Sequence, residues 1–308
     1  MTGEVPLALT GGSGFVGQAV LDVLGERNAP AGALVRRVTE HYHSRVEWVT
    51  GDLYNKRALD HLVAGVRGVI HIAGLTNAPD PAEFEAANVE GTTQLIAAAK
   101  QAGTKRFVFV SSLSAREPEL SAYGSSKAKA EKLVEDSGLD WTIVRPPAVY
   151  GPRDRDMFEL FRSASYGFVP LPPGGATSII HAHDLARLLV DLVDAQAALV
   201  RNRTFEPDDA RKGGWSHKEL AAAIGQSVGR RVFAPHLPRA VLQGAAGFDR
   251  LLRGAGAKLT QDRVGYMCHP NWVVRSDRKV PEVIWQPQIG GEAGLKATAD
   301  WYRQQGWL

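Results

Sequence analysis

Apolar and polar positions along this chain follow two alternating periods. Short apolar runs at residues 7–9, 33–35, 46–49, 69–72 and 107–110 have the length of buried strands. Between them, residues 15–26, 55–63, 81–101 and 122–136 carry apolar side chains at helical spacing with few breakers. Strand and helix in regular alternation predict an α/β fold, a doubly wound Rossmann-type parallel sheet covered on both faces. A further strand at 141–144 runs into Pro146 and Pro147, where regular structure stops because proline lacks an N–H and restricts the residue before it.

Past the two prolines the rhythm changes. Residues 153–175 mix Pro, Gly and aromatic residues without a sustained period and read as an inserted element. The run 179–181, with a helix over 183–194, reads as a return to the first domain. Further on, Ser216 and Glu219 make a capping box that starts a helix reaching Ser227, and Arg231, Val232 and Phe233 read as a strand. The expected organisation is a nucleotide-binding domain of residues 1–152 and 176–200, and a smaller discontinuous α+β substrate region of residues 153–175 and 201–308. Residues 240–257, which include Asp249, Arg250 and Arg253, read as an amphipathic helix packed on the body of the protein rather than a membrane-lying helix or a channel lid.

Candidate chemistry begins at the first turn. Thr10, Gly11, Gly12, Ser13, Gly14, Phe15, Val16 and Gly17 join the first strand to the first helix, and Gly12, Gly14 and Gly17 satisfy G-x-G-x-x-G. In that setting the glycines let the backbone approach a pyrophosphate, whose charge meets the N–H groups of the helix N-terminus. A carboxylate near the end of the second strand would serve the ribose of NAD; this chain has Arg36 and Arg37 there. A guanidinium grips a 2′-phosphate bidentately, so the expected cofactor is NADP(H), with NAD(H) as the alternative if both arginines are solvated and Glu40 takes part. Tyr123 and Lys127 stand four residues apart on one helix face, a spacing at which the ammonium lowers the phenol pKa toward neutrality.

With these features in order, the chain resembles the extended, epimerase/dehydratase-like short-chain dehydrogenase/reductases. The resemblance runs through residues 10–17, Gly51-Asp52-Leu53, His71 to Gly74, Asn88 to Thr92, Val110-Ser111-Ser112, Tyr123 to Lys127, Arg145 to Pro152 and His181 to Asp184. It implies Tyr123 as general acid/base, Lys127 on the nicotinamide ribose, and Ser112 bonded to the reacting oxygen, with Ser111 and Ser114 as competitors for that last role. It also implies Asp52 and Leu53 at the adenine, Ala73 and Gly74 along the cofactor, Asn88 as a support, and Pro146 and Pro147 beside the nicotinamide. Sugar-nucleotide 4,6-dehydratases of this family carry Thr-Asp-Glu where this chain has Ser112-Leu113-Ser114. Epimerases usually carry Asn where Ala148 stands, and Arg near Thr177 and Ser178. The segments 269–277 and 294–302 are similar to dihydroflavonol reductases and 3β-hydroxysteroid dehydrogenases. The expectation is therefore hydride transfer between NADP(H) and a carbonyl or secondary alcohol on a largely uncharged small molecule. A nucleotide-sugar epimerase and a non-catalytic NADPH-binding accessory protein are the alternatives.

Composition acts mainly by exclusion. The 308 residues are 44% hydrophobic and 22% charged, enough for a substantial core. A net charge of +3 and a pI near 9.0, with no Lys/Arg run longer than two, argue against a nucleic-acid partner. The single cysteine, Cys268, excludes an internal disulfide and fits a reducing compartment. Residues 1–9 lack the pattern of a secretory signal, and no stretch approaches the roughly 20 apolar residues of a membrane span. The expected location is cytoplasmic, and the resemblance adds a possible homodimer. His181 and His183 are expected to be structural rather than metal ligands, and Trp272, Trp285, Trp301 and Trp307 to be packing residues.

Overall fold

The computed structural model describes residues 5–37 and 43–308. Its elements run β1 (Leu7–Thr10), α1 (Phe15–Glu26), β2 (Ala31–Val35), β3 (Val46–Thr50), α2 (Lys56–Leu62), β4 (Val69–His71), α3 (Pro81–Phe84), α4 (Gly91–Gln101), β5 (Arg106–Val110), α5 (Ala122–Glu135) and β6 (Asp140–Val144). They continue with β7 (Ala148–Tyr150), α6 (Phe158–Ser165), β8 (Ala176–Thr177), β9 (Ile179–His181), α7 (Ala182–Asp194), α8 (Ala197–Val200) and β10 (Arg203–Phe205). The last are β11 (Trp215–Ser216), α9 (His217–Ser227), α10 (Arg239–Arg253), α11 (Gln261–Met267), β12 (Asn271–Trp272) and α12 (Gly291–Gln304).

Two compact units result: residues 1–145, 185–205 and 280–285, and residues 146–184, 206–279 and 286–308. The first holds a seven-stranded parallel sheet in the order β10-β6-β5-β4-β1-β2-β3, a doubly wound Rossmann-type arrangement. Strand order reverses between β1 and β4, which places their carboxyl ends at the switch point where such sheets bind ligands. The central strands are mostly apolar because both faces are covered: Leu7, Leu9, Ile70, Phe107 and Val108 are fully buried, whereas the edge strand β3 exposes Glu47 and Thr50. One cluster beneath this sheet joins Leu59, Leu95, Phe107, Phe109, Val134 and Ile143.

Three local expectations change. Ile179 to His181 do not rejoin the main sheet; β9 pairs in parallel with β7, and both lie in the second unit. The seventh strand is instead β10, which pairs with β6 and is only three residues long, too short to announce itself by period. Arg231, Val232 and Phe233 form no strand: Phe233 makes one isolated bridge to Phe168. The expected helix over 81–101 is three pieces, with residues 85–90 in a π-helical turn between α3 and α4.

In the second unit, β11-β8-β12 form a small sheet, and α9 starts at the expected capping box, Ser216 with Glu219. Residues 153–175 contain an amphipathic helix, α6, whose Phe161 and Ala164 are buried with Tyr150, Ile224, Leu295 and Tyr302. Trp301 and Trp307 pack with Tyr302 and Phe158 in one aromatic cluster. Asp184 accepts the N–H groups of Gln288 and Ile289 at 3.0 and 2.8 Å, and His181 Nδ1 accepts that of His183 at 3.2 Å. Among the described residues no helix is long and apolar enough to cross a membrane, and no group of three or more His, Cys, Asp or Glu is placed to hold a metal.

Candidate active site

Parallel strands bring their carboxyl ends to one edge of the sheet, and the expected site residues of the first unit follow those ends. Gly11 leaves β1 at φ +77°, a conformation open to glycine, and a Cβ there would stand 2.7 Å from the Ala73 nitrogen beyond β4. At Gly17 a Cβ would lie 2.0 Å from the Gly11 carbonyl oxygen, so the turn closes onto α1 only with glycine. Gly14 caps α1 in extended conformation with no side-chain acceptor on the helix N-terminus and no acidic residue in its first turn; Ser13 and Gly14 are exposed. Gln18 holds the turn, donating from Nε2 to the Gly12 carbonyl at 2.8 Å. A bare backbone cradle at a helix N-terminus fits a pyrophosphate.

Arg36 and Arg37 are exposed directly after β2, the neighbour of β1. Glu40 lies outside the described residues. Asp52 follows β3, exposed, with Oδ1 accepting the Tyr54 N–H at 2.9 Å, and Leu53 packs against the core. Pro146 and Pro147 follow β6 and open the second unit.

At the end of β4 the structure reveals a hydrogen-bond chain that the linear pattern did not announce. The Ala73 N–H reaches Thr10 Oγ1 at 3.3 Å, and Thr10 Oγ1 lies 2.6 Å from His71 Nδ1. His71 Nε2 lies 2.9 Å from Thr92 Oγ1, which itself donates to the Asn88 carbonyl at 2.6 Å. Because the Thr92 proton is already committed, Thr92 can only accept from His71, so Nε2 carries the hydrogen and Nδ1 accepts from Thr10. His71 is fully buried, and that burial, helped by the Lys127 charge, pushes its pKa down to about 3. The neutral ring thus fixes the loop that carries Ala73 and Gly74.

Asn88, in the π-helical turn, ties this loop to α5. Its Oδ1 accepts the Leu75 N–H at 2.7 Å; its Nδ2 donates to Leu75 O at 3.0 Å and to Ser126 Oγ at 2.9 Å. Ser126 Oγ then donates to the Tyr123 carbonyl at 2.8 Å. Wide π turns recur at functional sites because they redirect a side chain that a regular helix would aim elsewhere.

Ser121 caps α5, and Gly124 lets the helix come against the segment after β5, since a Cβ there would be 2.7 Å from Ser114 O. Lys127 is buried; its Nζ donates to Val110 O at the end of β5 at 2.7 Å and sits 4.4 Å from the Phe109 ring centre. Burial lowers its pKa to about 8, opposed by Glu131 one turn on, whose carboxylate takes two bonds from Arg145 at 2.8 and 2.6 Å. Tyr123 is one turn before Lys127, half-buried, with its ring 5.9 Å from Phe84. Of the three serines, Ser111 and Ser114 are buried, whereas Ser112 is half-exposed and donates to Ser114 Oγ at 3.2 Å. The Glu131–Arg145 pair was not singled out from the sequence, since carboxylate and guanidinium are 14 residues apart.

A family model described as NAD(P)H-binding matches residues 11–196. A ceramide reductase of Caulobacter vibrioides is 35% identical over 98% of this chain and 96% of its own length. This chain is an extended short-chain dehydrogenase/reductase. The family holds both reductases and epimerases: a UDP-glucose 4-epimerase of Vibrio cholerae is 28% identical over 71% of this chain and 75% of its own. The fold of the family is shared with the crystal structure of gox2253, with TM-score 0.79 at 24% identity, covering 99% of this chain and all of that one. The matched residues 11–196 include the glycines of the first turn, His71, Thr92, Asn88 and α5, so the NAD(P)-binding region carries most of the geometry described above.

Proposed function

We propose that this chain is an NADPH-preferring carbonyl reductase acting on an uncharged, long-chain lipid of the ceramide class. The observation that carries the catalytic part is Lys127, a buried ammonium anchored to Val110 O beside Ser112 and one helical turn from Tyr123. In this reading Tyr123 gives its phenolic proton to the oxygen of the reacting carbonyl, Ser112 Oγ–H bonds the same oxygen as charge builds on it, and Lys127 favours the phenolate left behind. The glycine turn holds the pyrophosphate, Asp52 and Leu53 border the adenine, Ala73 and Gly74 line the cofactor, Pro146 and Pro147 flank the nicotinamide, and Arg36 with Arg37 grip the 2′-phosphate. When bound, NADPH supplies the hydride.

The substrate class is supported by whole-length similarity to the ceramide reductase. It is also supported by Leu113 and Ser114, which offer neither carboxylate that elimination of water would need. A second reading, nucleotide-sugar epimerisation, is favoured by the Vibrio cholerae relative. It is opposed by Ala148 and by the sequence around Thr177, which lack the polar groups expected to grip a sugar diphosphate.

The test is NADPH oxidation by the whole chain with a ketone-bearing ceramide, short ketones and UDP-sugars, together with product analysis. Reduction of the ceramide ketone, lost in Tyr123→Phe while NADPH binding persists, is the expected result. Full activity in Tyr123→Phe overturns the catalytic assignment, and epimerised UDP-sugar without lipid reduction overturns the substrate.

A further inference from the structure

Helix α10 wears its apolar side outward. Projected at 3.6 residues per turn, Leu242 and Ala246 form the inner stripe, buried against Val264, and Arg239, Gln243, Asp249, Arg250 and Arg253 lie on that same half. The opposite arc, about 160° wide, contains no charge. It presents Val241, Phe248, Leu251 and Leu252, which are 51, 62, 81 and 67% exposed, with only Ala and Gly between them. A helix whose role is core packing has the reverse arrangement. The expectation that this segment packs on the body therefore holds for one narrow stripe and fails for the wider face.

Charge narrows the choice of what covers that face. From 239 to 258 the chain carries Arg239, Arg250, Arg253 and Lys258 against Asp249 alone, an excess of three positive charges. Arg253 pairs with Asp249 at 3.3 Å and Lys258 with Glu159, while exposed Arg239 and Arg250 stand toward the two ends of the helix. Area points the same way. The four side chains expose on the order of 500 Å², taking ~200 Å² for a large one, about two-thirds of the ~800 Å² per partner of a stable protein interface.

We propose that α10 seats this protein on an anionic lipid bilayer, with Phe248, Leu251 and Leu252 entering the acyl boundary and the arginine guanidinium groups reaching the phosphates. Long basic side chains reach from a buried stem to a headgroup, and an in-plane helix of this composition binds by apolar burial plus attraction to anionic lipid. The inference rests on and deepens the lipid reading above, because it brings the protein to the phase in which a ceramide-class substrate is dissolved.

The test is co-sedimentation of the full chain with vesicles of phosphatidylcholine, with and without phosphatidylglycerol. Binding to the anionic vesicles is expected, weakened at least about tenfold in the double variant Leu251→Gln, Leu252→Gln and reduced by high salt. Both leucines are exposed, so NADPH binding and the far-UV spectrum of the double variant should match the parent. No binding to anionic vesicles overturns the proposal. So does a lipid-free dimer in sedimentation velocity that the double variant disperses. Vesicle binding is read without turnover, so a negative result here leaves carbonyl reduction standing, and a failed reduction assay leaves the vesicle result standing.

Discussion

Replacing His71 with Phe should change the response to acid more than stability at neutral pH. In the parent, the unfolded chain takes up a proton at His71 below the ordinary value of about 6.5, while the folded ring stays neutral down to about 3. The folded state therefore has this contribution in full above pH 6.5 and loses it as pH falls through the window to 3. At about 1.4 kcal/mol per pH unit the whole loss is about 5 kcal/mol. His71→Phe removes that dependence and leaves Thr10 Oγ1 and Thr92 Oγ1 each without one partner, a cost of roughly 2–3 kcal/mol at pH 7. The two stability curves should then cross near about pH 4.5, with the variant the more stable below it. The assay is urea unfolding followed by circular dichroism at half-unit steps from pH 7.5 to 4. A difference between parent and variant that stays constant over that range would refute the neutral, Nε2-protonated imidazole.

Gly17→Ala forces a Cβ to within 2.0 Å of Gly11 O, so the turn must open; NADPH affinity by fluorescence titration should fall at least about tenfold, and an unchanged affinity would remove the turn from the cofactor site. Asn88→Ala takes partners from the Leu75 N–H, Leu75 O and Ser126 Oγ, which should cost roughly 2–4 kcal/mol in urea unfolding and lower kcat by a larger factor than it raises the KM for NADPH. A variant with parental kcat would mean that the loop after β4 needs no tie to α5. Titration of the parent should give tighter binding of NADPH than of NADH, and Arg36→Ala should narrow that gap; equal affinities in the parent would dispose of the 2′-phosphate grip.

Much of the candidate site was legible before folding was considered, because its parts are local. The glycine turn is eight consecutive residues that run from the end of a strand into a helix. Tyr123 and Lys127 need only helical periodicity to share a face, and Ser216 with Glu219 reports a helix start at a spacing of three. The supports of the site were not legible. His71 meets Thr10 across 61 residues and Thr92 across 21, and nothing in the run Val69 to His71 distinguishes a tautomer-locked imidazole from any other polar strand end. Asn88 reached notice through family likeness, yet its part as a bridge depends on a π turn that the continuous helical pattern over 81–101 conceals.

The sequence by itself determined the first six strands of the sheet, the glycine turn and the Tyr123–Lys127 spacing, since hydrophobic period and glycine placement act within a few residues. Only the tertiary structure decided that β10 completes the sheet while β9 leaves it, that the Lys127 ammonium is buried against Val110 O, and that the apolar arc of α10 faces outward. Each of those outcomes is a choice of partner between segments far apart in the chain. A helix has the same hydrophobic period whether its apolar side meets a core or is left exposed.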